Sequence, residues 1–151
     1  MENLKLIVQL IIALGIFNVW LINFSKPSKF RGGNAGNMSE EFETYGFNSW
    51  FMKLVGFLKL SMAVLLIAGI WYSNLVEYAA FVIGTLMVGA ILAHIKINDP
   101  FIKSVPALIM LILCSILIIL YLITYIFKLI LFYFEFILYR LILQKILLHG
   151  I

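Results

Sequence analysis

The stretch Phe51–Tyr72 reads FMKLVGFLKLSMAVLLIAGIWY, and nearly all of its twenty-two residues are apolar. An α-helix rises about 1.5 Å per residue, so a run of this length crosses the roughly 30 Å hydrocarbon core of a bilayer. Lys59 interrupts the run about a third of the way along. A lysine at the bilayer centre costs about 2.5–3.5 kcal/mol unless it finds a partner, faces a wet cavity or extends to the interface.

The composition of the whole chain matches this stretch. Of its 151 residues 64% are hydrophobic and only 12% are charged, an excess of apolar surface that is explained if lipid is the main solvent. With so few charges, the net charge of +4 indicates headgroup contact and topology rather than nucleic-acid binding. Cys114 is the only cysteine, which excludes an intramolecular disulfide and thiol exchange by a CxxC pair.

Three further apolar runs are long enough to span. Short connections between consecutive runs predict that they alternate in direction, so we expect an all-α membrane protein built as an antiparallel four-helix transmembrane bundle. The first run reads as a retained helix, since it is too long for a signal peptide and no cleavage motif follows it. With Phe51–Tyr72, the predicted helices are Leu4–Phe24, Glu77–Ile97 and Val105–Phe127.

This pattern predicts a transmembrane domain at 1–128, with a polar loop at 25–49, and an additional C-terminal apolar helix at 129–151. In the loop, Ser39 and the acidic residues after it resemble a helix start. Two interpretations are open: a short amphipathic helix at the membrane surface, which we favour, and a lid over a pocket between the helices. The run at 129–148 either spans the membrane or lies in its interface, and its scattered charges favour the interface.

Alternating helices place Asn18, Lys59 and His94 in the same half of the membrane, and we take these three as candidate ligand-binding residues. If the helix faces that carry Lys59 and His94 meet, they flank a small cavity suited to a carbonyl or anionic headgroup, such as a quinone or a lipid phosphate. Lys59 alternatively extends to the interface, although an intramembrane ion is a functional candidate by default. His94 is more simply explained as an interfacial histidine bonded to a backbone carbonyl. Asn18 needs a partner on another helix.

Other residues are structural candidates. Ala80 and Gly84 form a small-residue pair that lets helices approach closely. Asp99 and Pro100 end one helix, and Pro106 suits the first turn of the next. We find no Ser/His/Asp set, HExxH motif or paired metal-ligating histidines, so the sequence assigns no catalytic or metal-binding residue and does not predict a stand-alone enzyme.

Three stretches together resemble the DoxX-like family of small integral membrane proteins. They are LVGFLKL…LLIAG in the second helix, with Gly56 three residues before Lys59, the passage AHIKINDPFIKSVPALIMLIL at Ala93–Leu113, and EFETYGF at Glu41–Phe47. The resemblance covers roughly Leu4–Leu120. The matching pattern positions are Gly56, Lys59, His94, Asp99, Pro100 and Pro106.

The resemblance implies a four-helix protein of the bacterial inner membrane. Members of the family are linked to membrane oxidoreductase systems, including thiosulfate–quinone chemistry, and eukaryotic relatives act in receptor assembly. We therefore expect a non-catalytic membrane subunit or accessory of a quinone-linked redox system, with a quinone or lipid as ligand and a redox subunit as partner. The alternative is an interaction protein that assists assembly of another membrane protein. A small transporter has least support, because no repeated broken helices occur.

Overall fold

The computed structural model describes residues 2–149 of the chain, with side chains to residue 145. Helices make up all the regular secondary structure of this part of the chain, which contains no strand. α1 passes directly into a π-helical segment at Asn18–Ile22. The α-helices are α1 (Glu2–Phe17), α2 (Met38–Thr44), α3 (Ser49–Ala68), α4 (Asn74–Lys96) and α5 (Phe101–His149).

The apolar runs of the sequence all fold as helices of membrane-spanning length. Within the described residues four segments are long and apolar enough to cross a bilayer: Glu2–Ile22, Ser49–Ala68, Asn74–Lys96 and Phe101–Lys145. The prediction of an all-α, multi-pass membrane protein is therefore confirmed.

The helix ends differ from the predicted ones where local side chains decide them. α2 begins after Asn37, whose side chain accepts a hydrogen bond from the Glu40 backbone N–H at 3.0 Å, rather than at Ser39. α5 begins at Phe101, so Pro106 lies one turn further into the helix than predicted. The predicted break between residues 127 and 129 is wrong, since helical structure continues through Lys128, where the sequence has neither glycine nor proline.

The chain divides into two compact units, residues 1–118 and 119–151. In the first unit α3 contacts α1 and α4, and both α1 and α4 reach the start of α5. A Cβ built at Gly15 would lie 3.3 Å from Met110 Cε, and one built at Gly84 would lie 3.6 Å from Cys114 Cβ. The side chains fully buried among these helices include Ile12, Leu66, Ile83 and Leu117.

Large apolar side chains cover the outside of the first unit. At least two-thirds of the surface is exposed for each of four aromatic residues: Phe57, Trp71, Tyr78 and Phe81. Such a surface is expected where lipid rather than water surrounds the helices, and it makes the bilayer a direct contact of this protein.

The second unit is described to residue 149 and consists of helix alone. Every side chain from Tyr125 to Lys145 is exposed. Most are aliphatic or aromatic, and Lys128, Glu135, Arg140 and Lys145 are the charged residues among them.

Candidate functional site

Lys59 lies inside the first unit, on the face of α3 that also carries Gly56. Its side chain is only 9% exposed, and its ammonium group lies 5.5 Å from the centre of the Trp20 ring. Within the described part of the chain it makes neither a hydrogen bond nor an ion pair. A cation–π contact contributes about 0.5–2 kcal/mol, which is less than the usual cost of burying an unpaired ammonium group.

Gly56 allows Trp20 to lie in this position. A Cβ at residue 56 would collide with Trp20 Cζ3 and would lie 2.8 Å from Trp20 Cε3. Residues three apart lie on the same face of a helix. The Trp20 indole therefore packs against the backbone at Gly56 and also contacts the Lys59 ammonium group.

Trp20 is buried within the first unit, although a tryptophan near the end of an apolar run is typical of an interfacial anchor. It continues the stripe of Ile12 and Ile16 at spacings of four residues, which is one face of a helix. Asn18 is exposed, and its Oδ1 accepts a hydrogen bond from Asn23 Nδ2 at 2.9 Å. Its partner thus lies five residues away in sequence and not on another helix.

The negative charge of Glu41, on α2, acts on the Lys59 ammonium group, although the two residues form no ion pair. Glu41 is already compensated, because its Oε2 lies 2.8 Å from Arg31 Nη1. Its Oε1 accepts hydrogen bonds from the Gly32 N–H at 2.9 Å and from the Tyr45 hydroxyl at 3.0 Å. The buried Arg31 also donates to the carbonyls of Asn23, Phe24 and Lys26, which fixes the start of the loop.

Tyr45 connects this part of the loop to His94 at the end of α4. The Tyr45 oxygen lies 3.2 Å from His94 Nδ1 and 3.1 Å from His94 Nε2. His94 Nδ1 lies 2.8 Å from Asp99 Oδ2. Asp99 Oδ1 lies 2.9 Å from Lys103 Nζ and accepts a hydrogen bond from the Gly33 N–H at 3.1 Å. His94 thus contacts side chains and not the backbone carbonyl that the sequence suggested.

These contacts form a single loop-docking network, which holds residues 25–48 against the connection between α4 and α5. Its side chains are Arg31, Glu41, Tyr45, His94, Asp99 and Lys103.

The network shifts the pKa values of Tyr45 and Asp99, which lie outside the membrane-spanning segments. Burial, reinforced by the neighbouring charge of Glu41, raises the pKa of the Tyr45 phenol far above its ordinary value, so the hydroxyl stays neutral. Burial alone would also raise the pKa of Asp99, whose side chain is 5% exposed. Hydrogen bonds from His94, Lys103 and Gly33 outweigh that effect and hold the Asp99 pKa below its ordinary range.

Phe42 joins the loop-docking network to the Lys59 site. Its ring centre lies 6.1 Å from that of Trp20 and 6.4 Å from those of Tyr45 and Phe51. The apolar edge of α2 therefore packs on the helices of the protein. Both sequence interpretations of α2, a helix at the membrane surface and a lid over a pocket, stay predictions.

The predicted residues fall into two groups. Gly56 and Lys59 meet at Trp20, whereas His94 and Asp99 belong to the loop-docking network, and no hydrogen bond joins Lys59 to His94. The described side-chain hydrogen bond of Asn18 is to Asn23, which is in neither group. The remaining pattern residues occupy helix contacts and helix ends: Ala80 and Gly84 are buried on α4, Pro100 is exposed before α5, and Pro106 is half-buried within it.

Four apolar helices of spanning length define a small multi-pass integral membrane protein. The chain belongs to the DoxX-like family, whose sequence model matches residues 7–117. The match includes Trp20, Lys59 and the whole loop-docking network, and it ends close to the boundary of the first compact unit. No curated protein and no solved structure matches the chain.

Proposed function

We propose that the protein is a non-catalytic membrane subunit or accessory of a quinone-linked redox system, which holds a quinone-like or lipid ligand at Lys59. In this proposal residues 1–128 form an antiparallel four-helix bundle in the bacterial inner membrane, and residues 129–151 add a C-terminal apolar helix. The observation that supports it is the nearly buried side chain of Lys59, whose ammonium group lies beside the Trp20 ring and makes no hydrogen bond or ion pair with another described residue.

The chemistry of the site favours a ligand that presents an acceptor oxygen. Lys59 offers three N–H donors and no acceptor. Glu41 is engaged by Arg31, Gly32 and Tyr45, so it does not neutralise Lys59. A carbonyl or phosphate oxygen would supply the missing hydrogen bond, and the Trp20 face suits a flat or apolar group beside it.

The other candidate residues have secondary roles in this proposal. His94 acts through Tyr45, which helps to hold α2 over Trp20. Asn18 is a candidate contact at the exposed side of the π-helical segment. Gly56 leaves room for the Trp20 indole. The remaining residues position the helices and their connection: Ala80, Gly84, Asp99, Pro100 and Pro106.

The test is ligand retention during purification. The protein is taken from native membranes in mild detergent, and the organic extract is analysed by mass spectrometry for Lys59→Met, for Lys53→Met and for the unchanged chain. Lys53 is the matched control, because it is an exposed lysine on the same helix. We expect Lys59→Met to lower the retained ligand roughly 10- to 100-fold, since a hydrogen bond to a charged group contributes about 1.5–3 kcal/mol. Equal retention in both variants would contradict the proposal.

A second candidate function is assembly of another membrane protein without a redox role. The helix at 119–145 favours it, because its apolar side chains are exposed on every face from residue 125 onward. In this case the same purification yields a stoichiometric membrane protein and no bound ligand, and Lys59→Met leaves that association unchanged.

A further inference from the structure

An open apolar groove lies on the outside of the first unit, beside the C-terminal half of α3. Its volume is about 410 Å³. The residues that line it are all aliphatic or aromatic: Phe17, Val64, Ile67, Ala68, Trp71 and Tyr72. Val64 is 56% exposed, and Trp71 and Tyr72 are exposed further. The groove therefore belongs to the outer surface of the helices, and neither Lys59 nor the loop-docking network lines it.

Hydrocarbon chains of the bilayer surround this groove. It is continuous with the exposed apolar surface that contacts lipid. Its aliphatic and aromatic lining does not hold water, and an unfilled groove would leave the lining atoms without van der Waals partners. A lipid chain lying in the groove supplies those contacts. Because that chain is as apolar in the bilayer as it is in the groove, the headgroup decides which lipid is selected.

Trp71 and Tyr72 place hydrogen-bond donors at one end of the groove. They directly follow α3, a helix of membrane-spanning length. Tryptophan and tyrosine at such a position keep their rings among the lipid chains and direct the indole N–H and the phenol O–H to the headgroups. Neither side chain makes a hydrogen bond with another described residue. Both donors are therefore available to the phosphate and ester oxygens of a lipid.

The charge at this end of the groove is a carboxylate. Residues 60–95 contain no lysine or arginine, and Glu77 is their one acidic residue. Glu77 lies in the first turn of α4, directly beyond the connection that carries Trp71 and Tyr72. It is exposed and forms no ion pair with another described residue. An ammonium group in a headgroup would supply the opposite charge.

The cation that α1 brings to the same end already has an acidic partner. Gln9 donates a hydrogen bond to the Leu66 carbonyl, which joins the start of α1 to the end of α3. Lys5, one turn before Gln9, is buried, and its ammonium group lies 2.9 Å from Glu2 Oε1. A headgroup with net negative charge therefore meets the Glu77 carboxylate without gaining Lys5 as a partner, which disfavours it.

We propose that the groove holds one acyl chain of a phospholipid with an amine headgroup, of the phosphatidylethanolamine type. Trp71 and Tyr72 donate hydrogen bonds to its phosphate and ester oxygens, and Glu77 accepts one from its ammonium group. This lipid is separate from the ligand proposed at Lys59.

Trp71 itself reports on the groove. The full chain is reconstituted in vesicles of equal parts phosphatidylethanolamine and phosphatidylglycerol, with bromine, a quencher of tryptophan fluorescence, on the chains of one lipid at a time. The emission that Trp71→Phe removes belongs to Trp71. We expect brominated phosphatidylethanolamine to quench this emission roughly two- to fivefold more strongly than brominated phosphatidylglycerol, the range that one exposed ion pair provides. Equal quenching, or stronger quenching by phosphatidylglycerol, would overturn the proposal.

Substitutions assign the preference to the groove. Val64→Phe fills the groove from its exposed wall and Glu77→Gln removes the charge, so each should abolish the difference between the two lipids. Val88→Phe is the matched control, because Val88 is an exposed valine of α4 outside the groove, and it should keep the difference. Lys59→Met should keep it too, since this lipid does not depend on a ligand at Lys59. A difference that survives Val64→Phe or Glu77→Gln, or that Val88→Phe abolishes, would also overturn the proposal.

Discussion

At the scale of single residues, Gly56 controls how closely Trp20 approaches α3. A side chain at this position would collide with the indole, whose ring centre also lies 6.1 Å from that of Phe42. We expect Gly56→Ala to destabilise the protein by about 1–3 kcal/mol, the usual cost of an added group in a packed site. The measurement is thermal unfolding in detergent, followed by circular dichroism.

Gly89→Ala on α4 is the matched control for Gly56→Ala. A Cβ at residue 89 would meet no atom within 4 Å, and alanine favours a helix over glycine by about 1 kcal/mol. We expect this variant to be as stable as the native chain or slightly more so. Equal effects of the two substitutions would show that the Trp20 contact does not limit residue 56.

A site residue could be identified from the sequence where a charged residue lies in an apolar run, which is unusual. Lys59 stands out in an apolar run, so sequence alone identifies it as a candidate. Trp20 was missed as a site residue because tryptophan is common at membrane interfaces, although its spacing from Ile12 and Ile16 indicates a buried face. The Arg31–Glu41 pair was missed because no helical period relates a loop residue to a partner ten positions away.

At the scale of elements, Tyr45 connects the loop to α4. Its hydroxyl bridges Glu41 and His94, and its removal takes away the described partner of His94 Nε2 and one of the hydrogen bonds to Glu41. We expect Tyr45→Phe to weaken loop docking by about 1–3 kcal/mol. Local opening should become correspondingly more frequent, and limited proteolysis within residues 25–48 should accelerate roughly tenfold.

Tyr78→Phe serves as the control for the loop, because Tyr78 is 73% exposed on α4. Its proteolysis rate should equal that of the native chain. Unchanged cleavage of Tyr45→Phe would mean that the backbone contacts of Arg31 and the Phe42 packing suffice to hold the loop.

The elements themselves were largely predictable, because apolar runs separated by polar turns define where helices lie. Their ends were not, since these depend on individual contacts such as the Asn37 cap of α2. The uninterrupted α5 was missed because Lys128 was read as a boundary. A single charge does not break a helix, and lysine is a good helix former.

At the scale of the whole molecule, composition was sufficient to predict a membrane protein, and the glycine, lysine and Asp-Pro pattern was sufficient to identify the family. The docking of the loop was beyond prediction, because it joins residues from 31 to 103 through side-chain contacts that have no period. A consequence of that docking is a defined pH range for the intact fold.

The acid limit of this range comes from Asp99. Its pKa is held below the ordinary value of 3.8 in the folded protein, so its contribution to stability is present above that value. The contribution is lost as the pH falls through the lower, folded-state pKa. The basic limit comes from Tyr45, whose pKa is raised in the folded protein. Its contribution is complete below the ordinary value of 10.0 and is lost as the pH rises beyond it.

We therefore expect the thermal midpoint in detergent to be nearly level between about pH 5 and pH 9 and to fall on both sides. The variants assign each limit to its residue. Asp99→Asn should lower the midpoint at neutral pH and flatten the acid side, because the side chain no longer exchanges a proton. Tyr45→Phe should flatten the basic side only. If Asp99→Asn kept the full acid dependence, other carboxylates would control it, and the link between Asp99 ionisation and loop docking would be refuted.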